Sequence, residues 1–263
     1  MSDKSAIEWT DATWNPVTGC SKVSPGCANC YAETLSLRFG HSKLPWTPEN
    51  AAENVVLHPE RLRLPLTWRQ PRFVFVNSMS DLFHELVPFE YIDQVFAVMA
   101  QASAHTFQVL TKRPERMAWY TDDGWDRREY IRAHAGFGRY DERNVWPYRN
   151  VWLGTSIEND RWVGRADDLR NATAAVRFLS LEPLLGPLPS LDLTGIDWVI
   201  VGGESGVGHR PIDPGWVRDL RDRCVEVGVA FFFKQWGGRT PKSGGRLLDG
   251  RTWDEMPRQA VAA

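Results

Sequence analysis

Arg72-Phe73-Val74-Phe75-Val76, followed at once by Asn77-Ser78-Met79-Ser80-Asp81, is a compact apolar run of strand length that ends in polar, chemically capable side chains. A run of this length bounded by a polar cluster reads as a strand covered on both faces. The same figure recurs along the chain. Thr106-Phe107-Gln108-Val109-Leu110 ends at Thr111-Lys112-Arg113, and Val151-Trp152-Leu153-Gly154 ends at Thr155-Ser156-Ile157-Glu158-Asn159. Val176-Arg177-Phe178-Leu179 ends at Ser180-Leu181-Glu182-Pro183, and Asp197-Trp198-Val199-Ile200-Val201 at Gly202-Gly203-Glu204-Ser205. Val229-Ala230-Phe231-Phe232-Phe233 ends at Lys234-Gln235-Trp236-Gly237.

Segments of helical pattern or helix length separate several of these runs, notably 89–102 and 214–227. Alternation of this kind predicts an α/β fold with a mainly parallel sheet rather than a sandwich. A barrel gathers every strand C-terminus around one mouth, whereas a doubly wound sheet offers one crevice at a switch point. Because every run ends in reactive side chains, the expectation is a full or partial (β/α) TIM-like barrel. One domain over residues 1–263 suits that fold, which commonly has this length. Residues 114–149, dense in Arg, acids, Trp and Tyr, are expected to form an inserted lid.

Upstream of the first run lies Cys20-Ser21-Lys22-Val23-Ser24-Pro25-Gly26-Cys27-Ala28-Asn29-Cys30, three thiols in one turn-rich loop. Residues 7–18 can supply a strand running into it, and 31–39 a helix leaving it, stopped at Gly40. Residues 41–71, broken by prolines, read as a surface excursion with a short helix near 59–64. Thiolates select iron–sulfur clusters or zinc over hard cations, so Cys20, Cys27 and Cys30 are the candidate metal ligands. The fourth cysteine, Cys224, lies far along the chain among Leu220, Val225 and Val227, and reads as a core residue. A structural zinc site remains open, with His41, His58 or Cys224 as fourth ligand. With so few cysteines and no secretory leader, disulfides are not expected.

Composition narrows the partners. No uninterrupted apolar run approaches a membrane span, and residues 1–10 lack the basic start and apolar middle of a signal peptide, so a cytoplasmic protein without a membrane partner is expected. A net charge of −2 gives no global attraction to nucleic acid, so such a partner would need a local basic groove. Arg116, Trp119, Tyr120, Trp125, Arg127, Arg128, Arg132, Arg139, Tyr140, Arg143 and Trp146 of the expected lid could supply one, although neighbouring acids nearly cancel the charge. The 13 tryptophans suit cores and pocket walls before they suit base stacking.

A thiolate loop after the first strand, facing a ring of strand ends, resembles the radical S-adenosylmethionine superfamily. More closely, Trp14-Asn15-Pro16-Val17-Thr18-Gly19-Cys20, Ser24-Pro25-Gly26-Cys27, Cys30-Tyr31-Ala32-Glu33, Val109-Leu110-Thr111-Lys112-Arg113-Pro114-Glu115-Arg116, Phe178-Leu179-Ser180-Leu181-Glu182-Pro183-Leu184-Leu185-Gly186, Val199-Ile200-Val201-Gly202-Gly203-Glu204-Ser205-Gly206 and Phe233-Lys234-Gln235-Trp236-Gly237 are similar to a phage-associated family of unassigned activity. The cysteine motif is a variant: six residues separate Cys20 from Cys27, and Tyr31 follows Cys30 instead of an aromatic preceding it. Asn77-Ser78-Met79-Ser80-Asp81 stands where the superfamily carries a Gly-Gly-Glu string. The resemblance implies a [4Fe-4S] cluster on Cys20, Cys27 and Cys30, S-adenosylmethionine on its open iron, and an electron donor of flavodoxin or ferredoxin type. It implies an enzyme generating a 5′-deoxyadenosyl radical, with nucleic-acid modification or repair the first guess at substrate. Asn77, Ser78, Thr111, Lys112, Ser156, Glu158, Ser180 and Glu182 are then candidates to orient cofactor or substrate. Lys234, Glu204 and the glycines after Val201 are further polar or permissive positions at that mouth. The alternative reading is a non-catalytic, zinc-stabilised nucleic-acid-binding or adaptor protein.

Overall fold

The computed structural model describes residues 5–122, 124–138, 141, 145–240 and 242–257. In chain order the elements begin with β1 (Ala12–Trp14) and β2 (Val17–Thr18), then α1 (Tyr31–Arg38), α2 (Ala51–Asn54) and β3 (Val56–Leu57). They continue with β4 (Phe73–Val76), α3 (Phe89–Gln101), β5 (Thr106–Thr111), α4 (Pro114–Asp122), α5 (Gly124–His134) and β6 (Val151–Ser156). The last are α6 (Gly164–Asn171), β7 (Val176–Leu181), β8 (Trp198–Gly202), α7 (Pro214–Val227) and β9 (Ala230–Gln235). β1 and β4 through β9 form one seven-stranded sheet in the order β1-β4-β5-β6-β7-β8-β9, and every pairing is parallel.

The sheet curls into a half-barrel. Phe75 on β4 and Trp198 on β8 are four strands apart, which in a flat sheet is about 19 Å at about 4.8 Å per strand. The ring of Trp9 nevertheless lies 4.7 Å from Phe75 and 6.2 Å from Trp198, centroid to centroid. The segment before β1 therefore sits inside the curl, and buried Gln108 fixes it by donating to the Trp9 carbonyl at 3.1 Å. The inner core is aromatic: Trp152, Phe178 and Phe232 complete it around Trp198, whose ring is 6.0, 5.7 and 6.0 Å from theirs. The helices cover the outer face, where Val74, Val109, Leu153, Leu179, Val201 and Phe233 alternate with the inward residues.

The expected strand over 7–18 is divided. Pro16 has no amide hydrogen to continue a ladder, so β1 ends at Trp14 and β2 turns away to pair antiparallel with β3. The excursion at 41–71 contains α2 and β3, with 3₁₀ turns at Pro59–Arg61 and Leu64–Thr67 in place of the short helix. Strand ends run one or two residues past the apolar runs because residues such as Thr155 and Ser180 are buried and still pair. α7 has the bounds its sequence signals predict. Asp213 accepts from the Gly215 amide at its start, Pro214 opens it, and Gly228 closes it at φ 73°. Cys224 on this helix is fully buried, as expected of a core cysteine.

Of the stretch 114–149, residues 123, 139–140 and 142–144 lie outside the described set, as do the side chains of 124–126, so Trp125, Arg139, Tyr140 and Arg143 are not placed. The described remainder forms α4 and α5 on the β5-to-β6 connection, with Met117, Tyr120 and Ile131 buried in the outer-layer core. Three of its cations have partners within the protein: Arg116 with the His84 and Val87 carbonyls, Arg127 with Asp93, and Arg132 with Glu129.

Gly154 shows how tightly the inside is filled. A Cβ there would stand 2.5 to 2.6 Å from the Phe178 ring on the next strand. Gly154→Val is therefore expected to lower stability by about 1–3 kcal/mol, the usual cost of overpacking. Chemical denaturation is the measurement, and part of the loss should return when Phe178→Leu is combined with it.

Candidate functional site

Strand alternation decides which side chains reach the inside of the half-barrel. Along β6 these are Trp152, Gly154 and Ser156, and along β7 Val176, Phe178 and Ser180. The lower members make the aromatic core, and the upper ones line a cavity of about 530 Å³ at the C-terminal end of the strands. Cys20, Cys27 and Cys30 all line this cavity. So do Asn77, Ser78, Thr111, Lys112, Ser156, Ser180 and Glu182, seven of the eight strand-end candidates. Lys234, Gln235 and Glu204 complete the polar side, and Ile7, Trp9, Phe75 and Leu110 supply an apolar one. Asn77 takes a left-handed backbone, φ 59°, unusual for a residue other than glycine.

Glu158, the eighth candidate, is fully buried behind the lining. It accepts from Lys112 Nζ at 2.8 Å, from Arg165 Nη1 at 3.1 Å, and from Ser24 Oγ of the cysteine loop. Burial opposes its charge, but Lys112, Ser24 and Arg165 outweigh it and hold the carboxyl below its ordinary range. Gly26 lies so close that a Cβ would stand 2.5 Å from the Glu158 side chain. The tip of β6 thus grips one side of the loop.

The tip of β8 grips the other side. Asn29 Nδ2 donates to Glu204 Oε2 at 2.9 Å, and Arg210 pairs with Glu204 while donating to the Pro25 carbonyl at 3.0 Å. Burial opposes ionisation of Glu204, and the bonds from Arg210 and Asn29 override it. The third attachment is at Cys20. Arg113, just beyond β5, donates to Cys20 Sγ at 3.7 Å and to Ser21 Oγ at 3.0 Å. Loop geometry is set by three separate strand ends.

The thiols are half-buried and free of disulfides. Burial pushes the Cys20 thiol up to about 12, with Asp81 adding to the rise and Arg113 opposing it. Burial likewise raises Cys30, with Cys27 adding a smaller rise at both of its neighbours. Among the described residues no three His, Cys, Asp or Glu side chains stand as closely as the ligands of a single metal ion. Of the other proposed zinc ligands, His58 bonds Thr18 and Glu60, Cys224 lies in the outer core, and His41 is exposed with its ring 6.4 Å from that of Phe39.

Elsewhere in the cavity Lys234 and Glu182 pair at 2.9 Å, and Ser180 donates to Glu182 at 3.3 Å. Asp81 accepts from Thr111 Oγ1 at 2.7 Å and from Arg113 Nη1 at 3.1 Å. Asp81, Arg113 and Arg210 carry no sign of these roles in their spacing. The one hint was that Asp81 and Arg113 each close a polar cluster at a strand end.

The model of one family, described as protein of unknown function (DUF5131), matches residues 4–257. No curated protein and no solved structure matches the chain. Among the described residues no helix is long and apolar enough to cross a membrane.

Proposed function

The chain belongs to the DUF5131 family, whose description carries no activity with it, and from the chemistry of the cavity we propose that the protein is a radical S-adenosylmethionine enzyme built on a partial TIM-like barrel. The observation that carries this reading is the meeting of three thiols and seven strand-end side chains around one cavity. Cys20, Cys27 and Cys30 would hold a [4Fe-4S] cluster. The donor set fits that group by its chemistry: three soft sulfurs on one loop, all lining the cavity, suit an iron–sulfur cluster. When bound, the cluster would supply the electron that cleaves the sulfonium of S-adenosylmethionine to a 5′-deoxyadenosyl radical.

This chain's own residues have separable tasks. Glu158 and Glu204 hold the loop in place, while Trp9, Phe75 and Leu110 give the cavity an apolar wall that excludes water from a reactive species. Asn77, Ser78, Ser156 and Ser180 offer neutral hydrogen-bonding groups to cofactor or substrate. Lys112 and Lys234 are each neutralised by a glutamate, so the mouth presents balanced rather than basic chemistry. The electron would come from an external flavodoxin- or ferredoxin-type donor.

Anaerobic reconstitution tests the proposal. The protein should bind iron and sulfide with charge-transfer absorption, and on reduction should release 5′-deoxyadenosine from S-adenosylmethionine. Colourless protein holding stoichiometric zinc supports the zinc-stabilised alternative, and a reduced iron–sulfur protein that releases no 5′-deoxyadenosine refutes the radical step.

A further inference from the structure

Arg113 is buried with all five of its N–H groups used. Nε donates to Glu85 Oε1 at 2.8 Å, Nη1 to Asp81 Oδ2 at 3.1 Å and to Cys20 Sγ at 3.7 Å, and Nη2 to the Ser21 carbonyl at 3.4 Å and Ser21 Oγ at 3.0 Å. A guanidinium has five donors in a fixed plane, so a fully used set leaves it no rotational freedom. Its partners are themselves fixed. Asp81 is held by Thr111 Oγ1 and the Lys112 amide, and Ser21 Oγ meets His84 Nε2 at 2.9 Å. One arginine N–H is therefore aimed at a sulfur by a framework belonging to β5 and to the turn after β4.

We propose that Arg113 is a positioning residue that orients Cys20 and, by donating an N–H to its sulfur, raises the reduction potential of the cluster this sulfur would hold. The inference rests on the cluster reading above. Withdrawing negative charge from a ligand sulfur favours the reduced, more negative form of a cluster, because hydrogen bonds to the sulfurs and local net charge set its potential. Removing Arg113 acts in one direction through two routes: the N–H to sulfur is lost, and the Asp81 carboxylate beside it is left uncompensated. Glu85, by contrast, is largely exposed and meets the guanidinium at Nε rather than at the nitrogen that reaches the sulfur, with His84 Nδ1 3.6 Å from its other oxygen.

The test is an electron-paramagnetic-resonance redox titration of full-length wild type, Arg113→Gln, Arg113→Lys and Glu85→Gln after anaerobic reconstitution. Arg113→Gln is expected to retain iron and sulfide but to show a reduced-to-oxidised ratio at least about tenfold lower at a fixed potential, equal to about 59 mV for a one-electron couple. Arg113→Lys keeps the charge but loses the planar fork, so its ratio should fall in the same direction by less. Glu85→Gln should titrate like wild type. An Arg113→Gln cluster with the wild-type ratio overturns the proposal. Should that variant not fold, an Arg113→Lys ratio equal to wild type does the same. Wild-type protein that takes up no iron and sulfide instead refutes the cluster reading, and the role of Arg113 falls with it.

Discussion

Cys27→Ala protein, purified and reconstituted without oxygen, is expected to lose essentially all of the iron and sulfide that wild type binds. Cys27 is the middle thiol of the loop, and its sulfur lies 3.9 Å from Ser24 Oγ. Three cysteines are the fewest that leave a four-iron cluster with a single open corner, and two would leave half of it without protein ligands. The residue is only half-buried, so its truncation costs little packing and the fold should survive. Far-UV circular dichroism would verify that. Cys224→Ser, on the buried face of α7, serves as the opposite control: it should weaken folding slightly and leave the iron content unchanged. Full iron incorporation by Cys27→Ala would sink the assignment of the loop as ligand.

The largest effect on stability is expected at Trp198. Its ring is fully buried and meets Trp9, Trp152, Phe178 and Phe232 at centroid distances of 5.7 to 6.2 Å. Among the described residues no other inner side chain joins the segment before β1 to three strands of the sheet in this way. Trp198→Ala should cost about 3–5 kcal/mol, the range for deleting a large aromatic from a core. Because its indole N–H has no partner among the described residues, Trp198→Phe forfeits no hydrogen bond seen there and should cost much less. Urea titrations of the two variants would separate these cases, and equal losses would show that the ring's size is not what the half-barrel depends on.

Much of the fold could be read from local pattern. The six apolar runs after the cysteine loop are strands, and their order along the chain is their order in the sheet, because each connection returns to the neighbouring position. The cavity followed from the same pattern, since polar residues at successive strand ends must converge once the strands are parallel. Side-chain partnerships across the chain were not legible. Ser24 and Glu158 are 134 residues apart, Asn29 and Glu204 175, and Cys20 and Arg113 93. Spacing says nothing about such pairs, so Glu158 could be named as a mouth residue without its place behind the loop being visible. Trp9 escaped for another reason. The sequence around it looked like strand, whereas its indole acts as a wedge whose fit depends on the curvature of strands not yet formed at that point in the chain.

The three-point attachment of residues 20–30 also bears on the order of events during synthesis. The cysteines leave the ribosome before the groups that shape their loop: Arg113, Glu158, Glu204 and Arg210 all emerge later. A nascent chain therefore displays its thiols long before it can arrange them. On the cluster reading, loading would have to await those groups, and a truncated product ending before β8 would carry all three sulfurs with one side of their clamp missing.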